Sequence, residues 1–462
     1  MLWPSLPFRR RWDAAADWGA DSEEDCLNRP ENVWSEPLHI FETRLYADPA
    51  RVVLRPFHLG WQGKNAPGDR ATRLVEDVAG LSEEQVASEY ERVLRDFKER
   101  HWQTEKIFAE RFDEVAKNLE LDPAQFSETR QRLIGAYFCH EYTFAAAALM
   151  NPSIVPAPDQ SGMQGDAVRF IMSLRAVGEG HISSIAFREG IAEADGTFCL
   201  WPQASFATSV ELDEEEQVDC EETVWVHRHA ESNLSNTVIF PITEQQRGGL
   251  EDLRLVRFDH GDGDYEWVGT YTAYSGSSIR SELLRTRDFR SFELEPIRGR
   301  AGRNKGMALF PEKIDGRFTM VGRQDGKNLF LLRSDALDTW DDDGVLLMEP
   351  KYPWEFIQIG NCGSPIPTEH GWLLFTHGVG AMRKYALGCA LLDLKDPSKV
   401  LARTVEPVLT AENADRSGYV PNVVYTCGAL KVGERLLLPY GISDSTVGFA
   451  TCEIENLLKL MA

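Results

Sequence analysis

The sequence predicts an all-β five-bladed β-propeller with an N-terminal α-helical extension, and three observations carry that expectation. From about residue 166, short β-like runs such as AVRFIMSLRA, EWVGTYTAY, RFTMVGR, GWLLFTHGV and RLLLPYGI alternate with Gly, Asp and Asn turns. Turn-then-strand pairs recur as DGDYEWVGTYTAY, DGRFTMVGRQDGKNLFLLRS and EHGWLLFTHGV followed by YALGCALLDL. A period of about 50–60 residues suits a four-stranded blade, and roughly 300 residues hold five such units. Before about residue 150 the period is helical instead. A β-sandwich also satisfies a series of short strands.

Taken in order, residues 1 to 70 are Pro- and Arg-bearing and weakly periodic, as expected of a segment that wraps over another domain. The stretch LSEEQVASEYERVLRDF opens with Ser82 and Gln85 in a capping-box relation, and Val86, Tyr90, Val93, Leu94 and Phe97 follow at helical spacing. Asp122-Pro123 reads as the N-cap and first residue of a second helix, which the sequence carries to Asn151-Pro152. The expected division is a helical hairpin or bundle over 1–150, packed on a propeller over 151–462.

Composition bounds the function. The chain has 462 residues, 43% of them apolar, with a formal net charge of -24. Such a charge argues against nonspecific binding to nucleic acid or an anionic membrane. No apolar run is long enough for a signal sequence or a membrane span, so a cytoplasmic location is expected. The eight cysteines are dispersed without CxxC or metal-finger spacing and read as reduced structural thiols.

Four segments carry candidate chemistry. In 249-GLEDLR-254 the pair Glu251-Asp252 stands at the start of a strand that wants to be buried. Such a pair commonly caps a strand and binds Arg254 or Arg257. In a propeller, however, innermost strands start near the central channel, where a carboxylate beside apolar neighbours keeps its proton and acts as a general acid. Lys305, Arg323 and His377 fall at strand-end positions of successive units, so three cations are expected to meet at an anion. Tyr440 and Asp444 in 437-LLPYGISDSTVGFAT-451 offer groups for sugar hydroxyls or form a polar hairpin turn, and the first unit offers 151-NPSI-154 and Arg175, which again follows a strand run. Trp201, Trp267, Trp354, Trp372, Tyr271 and Tyr274 serve either sugar stacking or the core.

The segments GLEDLR, NKGMALFPEKIDGRFTMVGR, GSPIPTEHGWLLFTHGV, YALGCALLDLKDPSKVLART and PYGISDSTVGFAT, in this order, resemble family 130 of the glycoside phosphorylases and hydrolases. The likeness covers roughly residues 150–462. It implies a five-bladed propeller that acts on β-mannosides with inversion. It assigns Asp252 as the catalytic acid, its proton passing through a sugar hydroxyl to the glycosidic oxygen. It places Lys305, Arg323 and His377 at phosphate, and Asn151, Arg175, Arg254, Tyr440 and Asp444 around the mannose. Two positions depart from the phosphorylase pattern. Gln358 stands where lysine is common, and Gly306 where asparagine is expected. Hydrolytic members carry glutamates near this site, and Glu355 lies close by in sequence.

The expected activity is therefore phosphorolysis of β-mannosides to α-mannose 1-phosphate, with inorganic phosphate as co-substrate and no metal or organic cofactor. The alternatives are an inverting β-mannosidase sharing the same acid, and a sugar-binding propeller without catalysis. The partners expected are an oligosaccharide and phosphate, with no nucleic acid and no membrane, and self-association left open.

Overall fold

The computed structural model describes residues 38–57, 59, 70–101, 103–212, 223–412 and 415–462. Most of it is antiparallel sheet. Strands β1 (His39–Tyr46) and β2 (Val53–Pro56) precede four helices, α1 (Arg70–Ala79), α2 (Glu83–Phe97), α3 (Thr104–Leu119) and α4 (Glu128–Tyr137). After β3 (Cys139–Tyr142), the chain forms β4 (Ala148–Pro156), β5 (Val168–Val177) and β6 (Ser183–Ala192), and strands dominate from there on.

The strands form up-and-down meanders in chain order, as the alternating runs and Gly/Asp turns predict. β4, β5, β6 and Phe198–Leu200, the last pairing with β6, make the first meander, and Gly249–Gly261, Asp264–Tyr274, Ile279–Thr286 and Ser291–Pro296 make a second. These two belong to one 12-stranded sheet, bridged where Gly249 pairs with Ser183. Further meanders run from Ala308–Leu309 to Val345–Met348, from Gln358–Asn361 to Val400–Arg403, and from Val424–Tyr425 to Thr446–Glu453.

Apolar cores lie between successive meanders. Phe187 and Ile185 pack with Leu255 and Trp267, Phe258 with Met320 and Trp340, Leu331 with Leu374, and Phe375 with Leu438. The last meander meets the first through Phe449, Phe198 and Phe170. Trp267 is 1% exposed yet keeps its indole N–H satisfied, donating to the Pro156 carbonyl at 2.8 Å. Cys362, Cys389, Cys427 and Cys452 are buried thiols, as expected, while Cys26 and Cys220 lie outside the described residues.

The N-terminal third differs from the sequence expectation. β1 is antiparallel to Thr446–Glu453, with His39 opposite Thr451 and Tyr46 opposite Thr446, and so completes the last meander. Phe41 from β1 enters the same core, edge-on to Phe198 at 4.9 Å between centroids. The expected boundary at 150/151 falls inside β4. The Ser82/Gln85 capping box forms as predicted, but Pro123–Gln125 makes only a single turn, and Ser127 caps α4. α4 ends at Tyr137 because 139-CHEYTF-144 alternates polar and aromatic residues and pairs with β2 instead. The helices bury their apolar faces chiefly on one another, through Val75, Val86, Phe108, Phe112 and Leu133. Val53, Tyr142 and Phe144 then join this unit to Ala176 and Ala186 of the first meander.

Candidate active site

Two β-bulges build the site. In β4, Met150 pairs with Arg175 and Ser153 with Ser173, so Asn151 and Pro152 stand opposite a single residue. In the strand Gly249–Gly261, Glu251 pairs with Thr272 and Arg254 with Thr270, which leaves Asp252 and Leu253 extra in the same way. Both extra polar residues take left-handed backbone, with φ 49° at Asn151 and 56° at Asp252. A bulge re-aims side chains out of the pleat, and here the two meet. The Asn151 amide donates to Asp252 Oδ1 at 2.6 Å.

Around that pair lies a cleft of about 280 Å³, lined by residues from every meander. Its acidic side is organised by Arg175, which reaches Glu251 at 2.7 Å, Asp252 at 3.3 Å and the Ser183 hydroxyl at 2.9 Å. Arg254 lies behind, donating to the Asp252 and Cys362 carbonyls and to the Tyr425 hydroxyl. Asp444 lines the same side from the turn between Arg435–Ile442 and Thr446–Glu453.

Lys305, Gly306, Arg323, Gln358, His377 and Arg383 line the same cleft. Gly306 has φ 82°, and a Cβ there would stand 3.2 Å from Arg323 Nε. At Gly360 a Cβ would come within 2.2 Å of the His377 ring, so glycine is required for His377 to sit between its neighbours. His377 stacks on Tyr385 at 5.8 Å and meets Tyr425 edge-on at 4.9 Å.

The charge states correct two expectations. Burial would raise the Asp252 carboxyl, but Arg175, Arg254, the Asn151 bond and Lys305 outweigh it and hold it below the usual range. Asp252 is therefore ionised in the unliganded site rather than protonated. Burial, with Arg323 and Arg254 beside it, pushes His377 well below its ordinary value, so it is a neutral imidazole. Lys305 and Arg323 do face one cleft with His377, but the third cation is Arg383, which the sequence reading missed. The three expected positions are also not equivalent. Lys305 precedes a strand, Arg323 follows one, and His377 lies within Gly371–Val379.

Asn151, Arg175, Arg254 and Asp444 line the cleft, but Tyr440 does not. It is 1% exposed and packs in the core between the last two meanders. Glu355 is also outside the cleft, bonded to Arg403 and to the Lys351 and Tyr352 amides. Trp267, Tyr271 and Trp372 are core residues. The aromatics that do line the cleft are Tyr385 and Tyr425.

Burial, together with the Asp252 charge, pushes Asp444 up to about 6 against the pull of Arg175 and Arg383. A raised carboxylate pKa makes ionisation costly in the folded state, so the penalty is absent below about pH 4 and complete above about pH 7. Asp444→Asn is accordingly expected to stabilise the unliganded protein at pH 8, by up to about 3 kcal/mol, and to be neutral at pH 4. Urea unfolding at the two pH values measures this, and equal midpoint shifts at both would remove the assignment.

Residues 206–462 match the family model described as β-1,4-mannooligosaccharide phosphorylase. A 1,2-β-oligomannan phosphorylase of Thermoanaerobacter sp. is 35% identical over 48% of this chain and 75% of its own. A β-1,2-mannobiose phosphorylase of Listeria innocua is 32% identical over 48% of this chain and 62% of its own. A solved structure from Bacteroides ovatus described as a glycoside hydrolase superposes with a TM-score of 0.51 at 19% identity, covering 69% of this chain and 90% of that one.

Proposed function

Because the chain belongs to family 130, described as β-1,4-mannooligosaccharide phosphorylases, we propose that it cleaves β-mannosides with inorganic phosphate, inverting the anomeric centre to give α-mannose 1-phosphate. The observation that carries this reading is that one cleft holds both the carboxylates bound by Arg175 and the cations Lys305, Arg323 and Arg383. Phosphate held by these cations attacks the anomeric carbon as the bond to the leaving sugar breaks on the opposite face. The leaving oxygen takes a proton from Asp252 through a mannose hydroxyl. An ionised Asp252 must first gain that proton. A phosphate anion settling beside Lys305 offsets one of the charges that hold the carboxyl down, which favours protonation. Neutral His377 contributes a hydrogen bond rather than charge.

The same reading takes the meanders, with their cores running from each to the next and from last to first, as five blades closed into a propeller. Helices α1 to α4 are then a subdomain inserted between β1, which belongs to the last blade, and β4 of the first. Buried thiols fit the reducing cytoplasm.

Phosphorus NMR after incubation with β-1,2- and β-1,4-mannobiose, with and without phosphate, tests the reaction. Phosphate-independent release of mannose would replace phosphorolysis with hydrolysis. The base would then be sought at Glu251 or Asp444, since Glu355 is outside the cleft. Arg323→Ala is expected to raise the KM for phosphate about ten- to a hundredfold, the worth of a charge-assisted contact, while the KM for the glycoside barely moves. Gln358→Lys is expected to lower the KM for phosphate by restoring a missing cation.

A further inference from the structure

Two exposed rings meet beside the turn that carries Asp444 of this cleft. His181 lies in the turn between β5 and β6, just beyond Arg175, and Tyr419 lies in the segment before the last meander. The Tyr419 hydroxyl and His181 Nδ1 are 3.0 Å apart, and the ring centroids are 5.8 Å apart at 38°. Tyr419 is 49% exposed, although its backbone N–H donates to Ser445 Oγ at 2.5 Å, beside Asp444 of the cleft. His181 holds a left-handed backbone with φ 61°, a conformation that persists only where its surroundings impose it.

Those surroundings come from the N-terminal third. The Tyr142 hydroxyl at the end of β3 donates to the Glu179 carbonyl at 2.8 Å, and the Glu179 N–H donates to Thr143 at 3.1 Å. A Cβ at Gly178 would stand 2.6 Å from both the Tyr142 hydroxyl and the Thr143 carbonyl, so only glycine lets the turn approach so closely. The turn bearing His181 is thus held by the strand that α4 leads into.

We propose that the His181–Tyr419 pair forms one wall of the subsite for the leaving sugar, and that β3 of the N-terminal unit sets its position. The wall takes a pyranose by its C–H face on the tyrosine ring and by a hydroxyl at the imidazole. It rests on the β-mannoside reading given above. On that reading, the leaving sugar of a mannoside held at Asp252 and Asp444 lies towards the turn on which Tyr419 rests. Tyr142 is a positioning residue, since it acts through the backbone at Glu179.

The test compares mannobiose with methyl β-mannoside, whose leaving group is too small to reach these rings. In Tyr419→Ala and His181→Ala the KM for mannobiose is expected to rise about tenfold, with the values for methyl β-mannoside and phosphate unchanged within about twofold. Tyr142→Phe keeps the ring and loses only the bond to Glu179. It is expected to shift mannobiose in the same direction by a smaller factor, with kcat unchanged. Equal effects on both glycosides, or none, would overturn the proposal. The wild-type product separately identifies the reaction: mannose in place of mannose 1-phosphate ends the phosphorylase reading but leaves the two-glycoside comparison in force. Calorimetry supplies the same comparison without turnover, and a wild type that binds neither glycoside overturns both.

Discussion

Asp252→Asn is expected to lower turnover of mannobiose by about 10²–10⁴, the usual worth of general acid catalysis, while sugar affinity changes little. The amide keeps the carboxylate's shape, and its oxygen can still accept from the Asn151 amide. What it cannot do is release a proton toward the leaving oxygen. A control separates this from structural damage. An aryl β-mannoside whose phenol leaves without protonation should recover much of the lost rate in the variant. If both substrates suffer alike, the Asp252 carboxylate is holding Arg175 and Arg254 in place rather than supplying a proton. A loss below about tenfold on mannobiose would take it out of the acid role altogether.

Deleting residues 1–46 is expected to yield insoluble protein, even though no residue of the cleft is removed. β1 pairs along Thr446–Glu453, and its loss leaves that strand as an unpaired edge able to bond to other chains. It also empties the place of Phe41, which is 3% exposed against Phe198 and Phe449. Phe41→Ala alone is expected to cost about 3–5 kcal/mol in urea unfolding. A soluble truncated protein with an unchanged midpoint would show that β1 is merely appended.

What could be read from the sequence was local. Alternation and Gly/Asp turns placed the strands within Val168–Val177, Asp264–Tyr274 and Gly371–Val379 because these signals lie within a few residues of one another. The Ser82 cap was legible for the same reason. The bulges at Asn151 and Asp252 were not, since a bulge exists only relative to a partner strand. β1 alternates weakly, and nothing near it in sequence reveals that its partner is Thr446–Glu453. Tyr440 was misplaced because Leu436 to Ile442 are all buried, so both faces of that strand look alike. Arg383 stands in an irregular turn with φ 55° and belongs to no periodic pattern. The charge of Asp252 depends on Arg175, a residue 77 positions away.

The pairing of β1 with Thr446–Glu453 also orders events in time. During synthesis β1 emerges before any other described strand, yet its hydrogen-bonding partner is among the last to be made. Until then its backbone must remain solvated or find a temporary partner, and the earlier meanders fold without it. Pairings so distant in sequence carry a large loop-closure cost and slow folding. Docking of this early segment onto a late one is therefore expected to come late in folding, and opening of the same seam early in unfolding.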